Sequence, residues 1–216
     1  MIRRLLLSLV VATFAGAHVQ AQAPVRAARA DFQGTSAPIE VRRMADWVVA
    51  SADNGGSSFV IIDKKDAEVF VFDAQGQILG AAPALLGLGV GDDSAPGVGN
   101  KPLSAIRPQD RTTPAGRFNA FLGHERGHPD FFWVDYKNAV ALHRVVKGTP
   151  KDHRAERLAS PTPLDNRITF GCINVPVAFF EQTVLPAFKG TKGVVYILPE
   201  VKAMRDFFPH YHDVDG

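Results

Sequence analysis

A mainly β domain with a few helices, α+β in class, is what this sequence predicts, and three observations predict it. The 216 residues, 46% apolar and 21% charged, suit one compact domain and exclude a disordered or collagen-like chain. Short β-branched and aromatic runs, separated by Gly, Pro, Asn and Asp, recur along the chain as strands and turns do. Helical spacing shows in only two or three places. The lone Cys172 forbids an internal disulfide, and a chain of this length can bury enough apolar surface to fold without one.

The elements follow in order. Met1 to Arg4 carries two arginines, Leu5 to Ala17 is apolar, and Val19 to Ala23 offers small residues for cleavage, so 1–23 reads as a secretory signal peptide. A membrane anchor would need about 20 apolar residues, and this run is shorter with no second span after it. Removing 1–23 takes away Arg3 and Arg4 and no acid, which balances the 24 basic against the 22 acidic residues. A neutral chain without a basic block gives no electrostatic reason to bind nucleic acid. Residues 24–57 read as a flexible segment followed by an amphipathic helix from Pro38 to Ala52, with Ile39, Met44, Trp47 and Val48 on one face.

Phe59 to Asp63, Glu68 to Phe72 and Ile78 to Gly80 then form a β-meander, and Gly87 to Gly116 is a long loop. Strand character resumes at Arg117 to Leu122, Phe131 to Tyr136 and Ala139 to Val145. The polar stretch 147–167 holds a short helix near Asp152 to Leu158, a helix is expected over Val175 to Phe188, and Gly193 to Leu198 closes with a strand. The domain spans 58–199, and 200–216 reads as a C-terminal tail.

In an exported chain an unpaired cysteine is a buried inert thiol, an intermolecular bridge or a reactive nucleophile. Strand-like Arg167 to Phe170, then Gly171, then a helix start at Asn174 or Pro176 place Cys172 just before a helix N-terminus, where free N–H groups favour a thiolate. N–H groups around Gly171 and Cys172 could also hold a developing oxyanion. A base is needed. His143 ends the apolar run Val140 to Leu142, and His153 is its rival in a charged, loop-like context.

Thr169-Phe-Gly-Cys-Ile-Asn174 resembles the Ser/Thr-His-Gly-Cys-hydrophobic-Asn/Arg signature of the L,D-transpeptidase catalytic domain family, exported cysteine enzymes that remodel peptidoglycan. The hairpin at Phe59 to Asp73, the segment Arg111-Thr-Thr-Pro-Ala-Gly-Arg-Phe118 and the strand Ala141-Leu-His143 resemble further family stretches in the same order. Phe170 departs from the pattern by standing where the family usually has His. His153 stands nearer the family's usual spacing to the cysteine, whereas His143 matches in its strand context, which makes 147–166 an insertion over the cleft.

The resemblance implies a β-sandwich of curved mixed sheets with a helix following the catalytic cysteine. It implies that Cys172 attacks the meso-diaminopimelate carbonyl of a peptidoglycan stem peptide, with His143 as base, and that D-Ala leaves. A second stem peptide or a lipoprotein resolves the thioester, or water does so in a carboxypeptidase or endopeptidase on the same scaffold. Gly171 and Thr169 stand at the oxyanion turn, and Asn174, Arg144 and Arg167 are candidate positioning groups. No cofactor or metal is implied, and the expected location is the periplasm or cell envelope.

Two other classes remain open. A silent wall-binding domain would fit Phe170. A zinc peptidase would rest on His124-Glu125-Arg-Gly-His128, although Gly123, Gly127 and Pro129 argue against the helix that such a site needs. The glycines from Gly87 to Gly91 lack a helix or βαβ frame for a nucleotide. Asp92 and Asp93 read as solvated loop residues, His210 and His212 as a solvated tail, and Arg117 as a strand residue.

Overall fold

The computed structural model describes residues 28–123 and 130–214. The expected signal peptide and the motif from His124 to His128 lie outside the described residues. Ten strands are described: β1 (Phe59–Asp63), β2 (Glu68–Phe72), β3 (Ile78–Pro83), β4 (Leu86–Gly87), β5 (Gly116–Gly123), β6 (Phe131–Asp135), β7 (Val140–Arg144), β8 (Arg167–Thr169), β9 (Ile173–Val175) and β10 (Lys192–Ile197). Eight pair in the order β3-β2-β1-β10-β5-β6-β7-β9, and β4 pairs separately with β8. The β1–β10 and β7–β9 pairs are parallel and the other neighbours in the large sheet antiparallel, so the sheet is mixed.

Alternation within the central strands explains the layers. In β1, Val60 and Ile62 point into one core while Phe59 and Ile61 point into the other. Burial on both faces is why this strand reads as an unbroken apolar run. One core is closed by the helical segment 177–188, whose Phe180, Val184 and Phe188 are fully buried. The other is closed by α1 (Ile39–Ser51), which presents Val41, Met44, Ala45, Trp47 and Val48 at helical spacing.

The segment 177–188 consists of α3 (Val177–Phe179), a π-turn (Phe180–Val184) and α4 (Leu185–Phe188). Pro186 lacks an N–H and crowds the carbonyl one turn earlier, so the chain widens to a π-turn just before it. A short α2 (Arg154–Leu158) lies in the stretch 147–166, which forms a strap between β7 and β8.

Three expectations change. β9 intervenes between Cys172 and the helix, which begins only at Val177. The segment preceding α1 is packed from Asp31, which bridges Gln77, and Phe32 is buried. Residues 200–214 do not trail: α5 (Met204–Phe207) and the buried Phe208 seal the α1 side of the sheet. Each depends on long-range packing of short apolar pieces whose own periodicity is too brief to register. Among the described residues no helix is long and apolar enough to cross a membrane.

Candidate active site

β7 and β9 lie parallel with Leu142 opposite Ile173 and His143 opposite Asn174. Leu142, Ile173 and Val175 point into the core closed by 177–188. Because strand side chains alternate, His143, Asn174 and Cys172 stand on the other face. There the loop 87–116 and the strap replace α1 as cover.

Cys172 is partly exposed, and its Sγ donates to the Ala139 carbonyl at 3.5 Å. Burial pushes the thiol above its ordinary range, and the Ala141 backbone hydrogen bond offsets this only in part. With a strand next in the chain rather than a helix, the dipole argument for a ready thiolate does not apply.

His143 is held at both ring nitrogens. Nδ1 lies 2.8 Å from the Arg144 carbonyl and Nε2 lies 3.1 Å from Asn174 Nδ2. The edge of its ring meets Phe131, with centroids 5.1 Å apart. Burial pushes its pKa below the ordinary value, and the Arg154 and Arg144 charges push the same way against the carbonyl contact. The imidazole is therefore neutral near pH 7. Among the described residues no hydrogen bond joins Sγ to His143; Cys172 lies two positions before Asn174, the register partner of His143, a step of about 7 Å along the strand.

The turn before Cys172 is anchored from several directions. Thr169 Oγ1 donates to the Cys172 carbonyl at 2.6 Å and accepts from the Gly171 N–H at 3.1 Å. The Gly171 N–H is thus engaged in the turn in this state. Gly171 has φ +127, and a Cβ there would lie 2.8 Å from the Thr112 carbonyl oxygen, so both conformation and space require glycine. Phe170 lies against the Arg111 guanidinium, 4.0 Å from ring centroid to carbon, and fills this place with a cation–π contact.

The other candidates are placed apart. Arg144 lies in register with Val175 and so points to the opposite face, where it pairs with Glu181 at 2.5 Å and covers the Phe180 ring. Arg167 pairs with Glu200 and donates to the Lys64 carbonyl at 2.7 Å. His153 sits on the strap with its side chain 65% exposed, 3.9 Å from Glu156. His210 and His212 are exposed, and no metal-ligating cluster occurs among the described residues.

Sequence reasoning missed three features. Arg154 donates to Asn174 Oδ1 at 2.9 Å and ties the strap to the histidine. Asp92, expected in solvent, is buried, with Lys64 Nζ at 2.6 Å and the N–H groups of Glu200, Val201 and Lys202 at its oxygens. Finally, Phe121 pairs with Trp133 and Trp133 with Ala141, so two aromatics and a small residue form a row across the sheet toward Cys172. A groove of about 410 Å³ opens on that row between Trp133, Tyr136, Lys137, Ala139, Gly99 and Asn100. The run Phe131 to Val134 is apolar throughout, so nothing in the sequence marked which of its residues would form this floor.

The chain is similar to L,D-transpeptidases of known structure. The helical cell shape determining protein Pgp2 from Campylobacter jejuni shares 18% identity at a TM-score of 0.45, over 68% of this chain and 49% of its own. An L,D-transpeptidase from Enterococcus faecium shares 14% at 0.36, over 66% of this chain and 50% of its own. The separate catalytic domain of the E. faecium enzyme shares 13% at 0.37, over 66% of this chain and 98% of its own. The chain thus spans about half the length of the first two. No family model matches it, and no curated protein does.

Proposed function

We propose that this protein is an exported cysteine acyltransferase of the L,D-transpeptidase type, acting on peptidoglycan stem peptides in the cell envelope. The observation that carries the reading is the pairing of β7 with β9. It sets the neutral imidazole of His143 on the same face as the chain's only thiol, Cys172, which lies within the Thr169 to Asn174 sequence that resembles the family signature.

In this mechanism the stem peptide lies along the groove floored by Trp133 and Tyr136, with its scissile carbonyl over Cys172. The thiol turns from the Ala139 carbonyl to His143 Nε2, which displaces the Asn174 N–H and takes the proton. Sulfur attacks the meso-diaminopimelate carbonyl, and the backbone N–H of Cys172, joined by that of Gly171 once it leaves Thr169 Oγ1, stabilises the oxyanion. The imidazolium protonates the departing D-Ala and a thioester remains. An amine from a second stem peptide or a lipoprotein then attacks it, restoring the thiol. Arg144 and Arg167, which point elsewhere, support the fold and stand outside this scheme.

The test is incubation of the purified chain with tetrapeptide stems, followed by mass spectrometry of the intact protein and products. A thioester on Cys172 with release of D-Ala supports the reading, and its loss in Cys172→Ala confirms the residue. Absence of any adduct in the folded wild type would overturn it.

A further inference from the structure

We propose that Arg154, carried by the strap, is a positioning residue for His143 that acts through Asn174. The argument is one of donors and acceptors. An asparagine amide has one oxygen that only accepts and one nitrogen that only donates, and a guanidinium only donates. Arg154 Nη1 lies 2.9 Å from Asn174 Oδ1, so the oxygen must face the arginine. The Nδ2 donor then faces His143 Nε2 at 3.1 Å, which requires a lone pair on that nitrogen. The proton belongs on Nδ1, where the Arg144 carbonyl at 2.8 Å accepts it. The ring is thereby kept in the tautomer whose Nε2 can take a proton from the thiol.

A flipped amide would set Nδ2 against the guanidinium, donor against donor, and Oδ1 against Nε2. That arrangement calls for a proton on the nitrogen meant to be the base. Arg154 rules it out from outside the β7–β9 pair, so the docked strap enforces through the amide the same tautomer that the Arg144 carbonyl favours from the other side of the ring.

The strap is built to hold the arginine there. The Arg154 side chain is only 13% exposed, and its Nε lies 3.3 Å from Asp152 Oδ2. The same carboxylate caps the turn at Thr149, accepting from its N–H at 3.1 Å and its hydroxyl at 2.9 Å. Gly148 has φ +62, and a Cβ there would meet Asp152 Oδ2 at 2.2 Å and Arg154 Nε at 2.7 Å. The left-handed backbone and the two side chains crowded against it favour glycine at 148 beside the docked arginine.

The charged and titratable groups around His143 are Arg154 on the strap and Cys172 ahead of β9 on its own face, and Arg144, whose head group leaves from the opposite face of the same strand but whose charge still reaches the imidazole. Glu181 counters Arg144 and Asp152 counters Arg154. From β6 the neighbour is the uncharged Phe131. Loss of Arg154 removes one cation and the constraint on the amide together, and both changes favour the imidazolium.

The inference rests on His143 being the base, and its test separates the two claims. Tautomer and titration of His143 are read by nitrogen and ring-proton NMR in the full chain, beside the rate of iodoacetamide alkylation of Cys172. In Arg154→Ala the expected result is a mixed tautomer, a higher titration midpoint and a neutral-pH alkylation rate lower by roughly ten- to a hundredfold, part of what a general base supplies. Gly148→Ala, which displaces the arginine without removing it, gives the same tautomer mixing, and Arg154→Lys restores the single tautomer. In an Asn174→Ala background, Arg154→Ala changes the tautomer no further. An unchanged tautomer and midpoint in folded Arg154→Ala, or in Gly148→Ala where the first variant does not fold, overturns the inference. Wild-type Cys172 reacting at a free-thiol rate, with the Arg154-dependent tautomer intact, overturns the acyltransferase reading alone.

Discussion

Thr113 Oγ1 donates to the carbonyl of Gly171 at 2.9 Å and accepts from the N–H of Gly87 at 2.9 Å, so one buried hydroxyl pins the residue before the thiol to the long loop. The side chain is fully buried. Thr113→Val keeps the shape and leaves both backbone groups unpaired, which costs about 1–3 kcal/mol. The expected outcome is a lower urea midpoint together with slower alkylation of Cys172, and Thr113→Ser restores both. Unchanged alkylation in a destabilised valine variant would show that Thr113 serves the fold alone.

How much of this was legible in the sequence follows from the range of the interactions. β1, β2 and α1 announce themselves because their apolar pattern is set by adjacent layers over whole elements. Cys172 and His143 stand out in the sequence by their immediate neighbours, and the β7–β9 pairing sets both on one face of the sheet. Asp92 does not stand out: an acid in a Gly-rich loop looks solvated until Lys64 and the N–H groups beyond Pro199 are brought to it from distant parts of the chain. The three-residue strand β9 reads locally as a helix start because Asn174 and Pro176 carry helix-start chemistry, and only pairing with β7 overrides that local preference. Arg154 was hidden for a similar reason, since a charged strap reads as surface until its partner Asn174 is known.

The aromatic row predicts binding without chemistry. Trp133 lies beside Phe131 and Tyr136, with ring centroids 5.7 and 5.1 Å apart, and lines the groove that abuts Ala139. Trp133→Ala removes a large flat side chain from the groove proposed to take substrate and leaves Cys172 and His143 unsubstituted. KM for a stem peptide is expected to rise roughly tenfold, the equivalent of about 1.4 kcal/mol, with kcat and alkylation of Cys172 little changed. Steady-state kinetics with the tetrapeptide stem checks this, and a fall in kcat alone would place Trp133 in the chemistry instead.

Lys64 makes a different prediction. Its side chain is fully buried, and Nζ reaches Asp92 at 2.6 Å, the Gly91 carbonyl at 2.7 Å, the Thr113 carbonyl at 3.0 Å and Glu200 at 3.5 Å. Lys64→Met leaves Asp92 as a buried acid without its cation, while Glu200 keeps Arg167, and the loss costs about 3–5 kcal/mol. Chemical denaturation near neutral pH should therefore show a large loss of stability.

The same cluster fixes an acid limb. Burial alone would raise the Asp92 pKa, but the Lys64 ammonium and the N–H groups of Glu200, Lys202 and Val201 outweigh it and hold the carboxyl at about 2, against an ordinary 3.8. A depressed acid stabilises the folded chain fully above the ordinary value, and the contribution is lost as pH falls through the lower one. The amount is about 2 kcal/mol. Wild-type stability should drop between pH 4 and pH 2 by this increment more than in Asp92→Asn, measured by urea unfolding across that range.

The reactivity of Cys172 should carry the signature of a neutral pair rather than a standing ion pair. Burial raises the thiol and lowers the imidazole, so both groups are uncharged at pH 7 and the proton moves only as sulfur attacks. The imidazole charges only below its ordinary 6.5, which keeps the acid limb of the alkylation rate below that value. On the basic side the rate climbs again only above the ordinary thiol range, where hydroxide can form the thiolate without help. His143→Ala removes the base, so the neutral plateau should fall by roughly 10²–10⁴ while the alkaline rise remains. Measuring alkylation of both proteins from pH 5 to pH 11 checks this. A thiolate already present at pH 6 in wild type, seen as a flat rate and an ultraviolet thiolate band, would show that the pair exists as ions and that His143 acts by its charge.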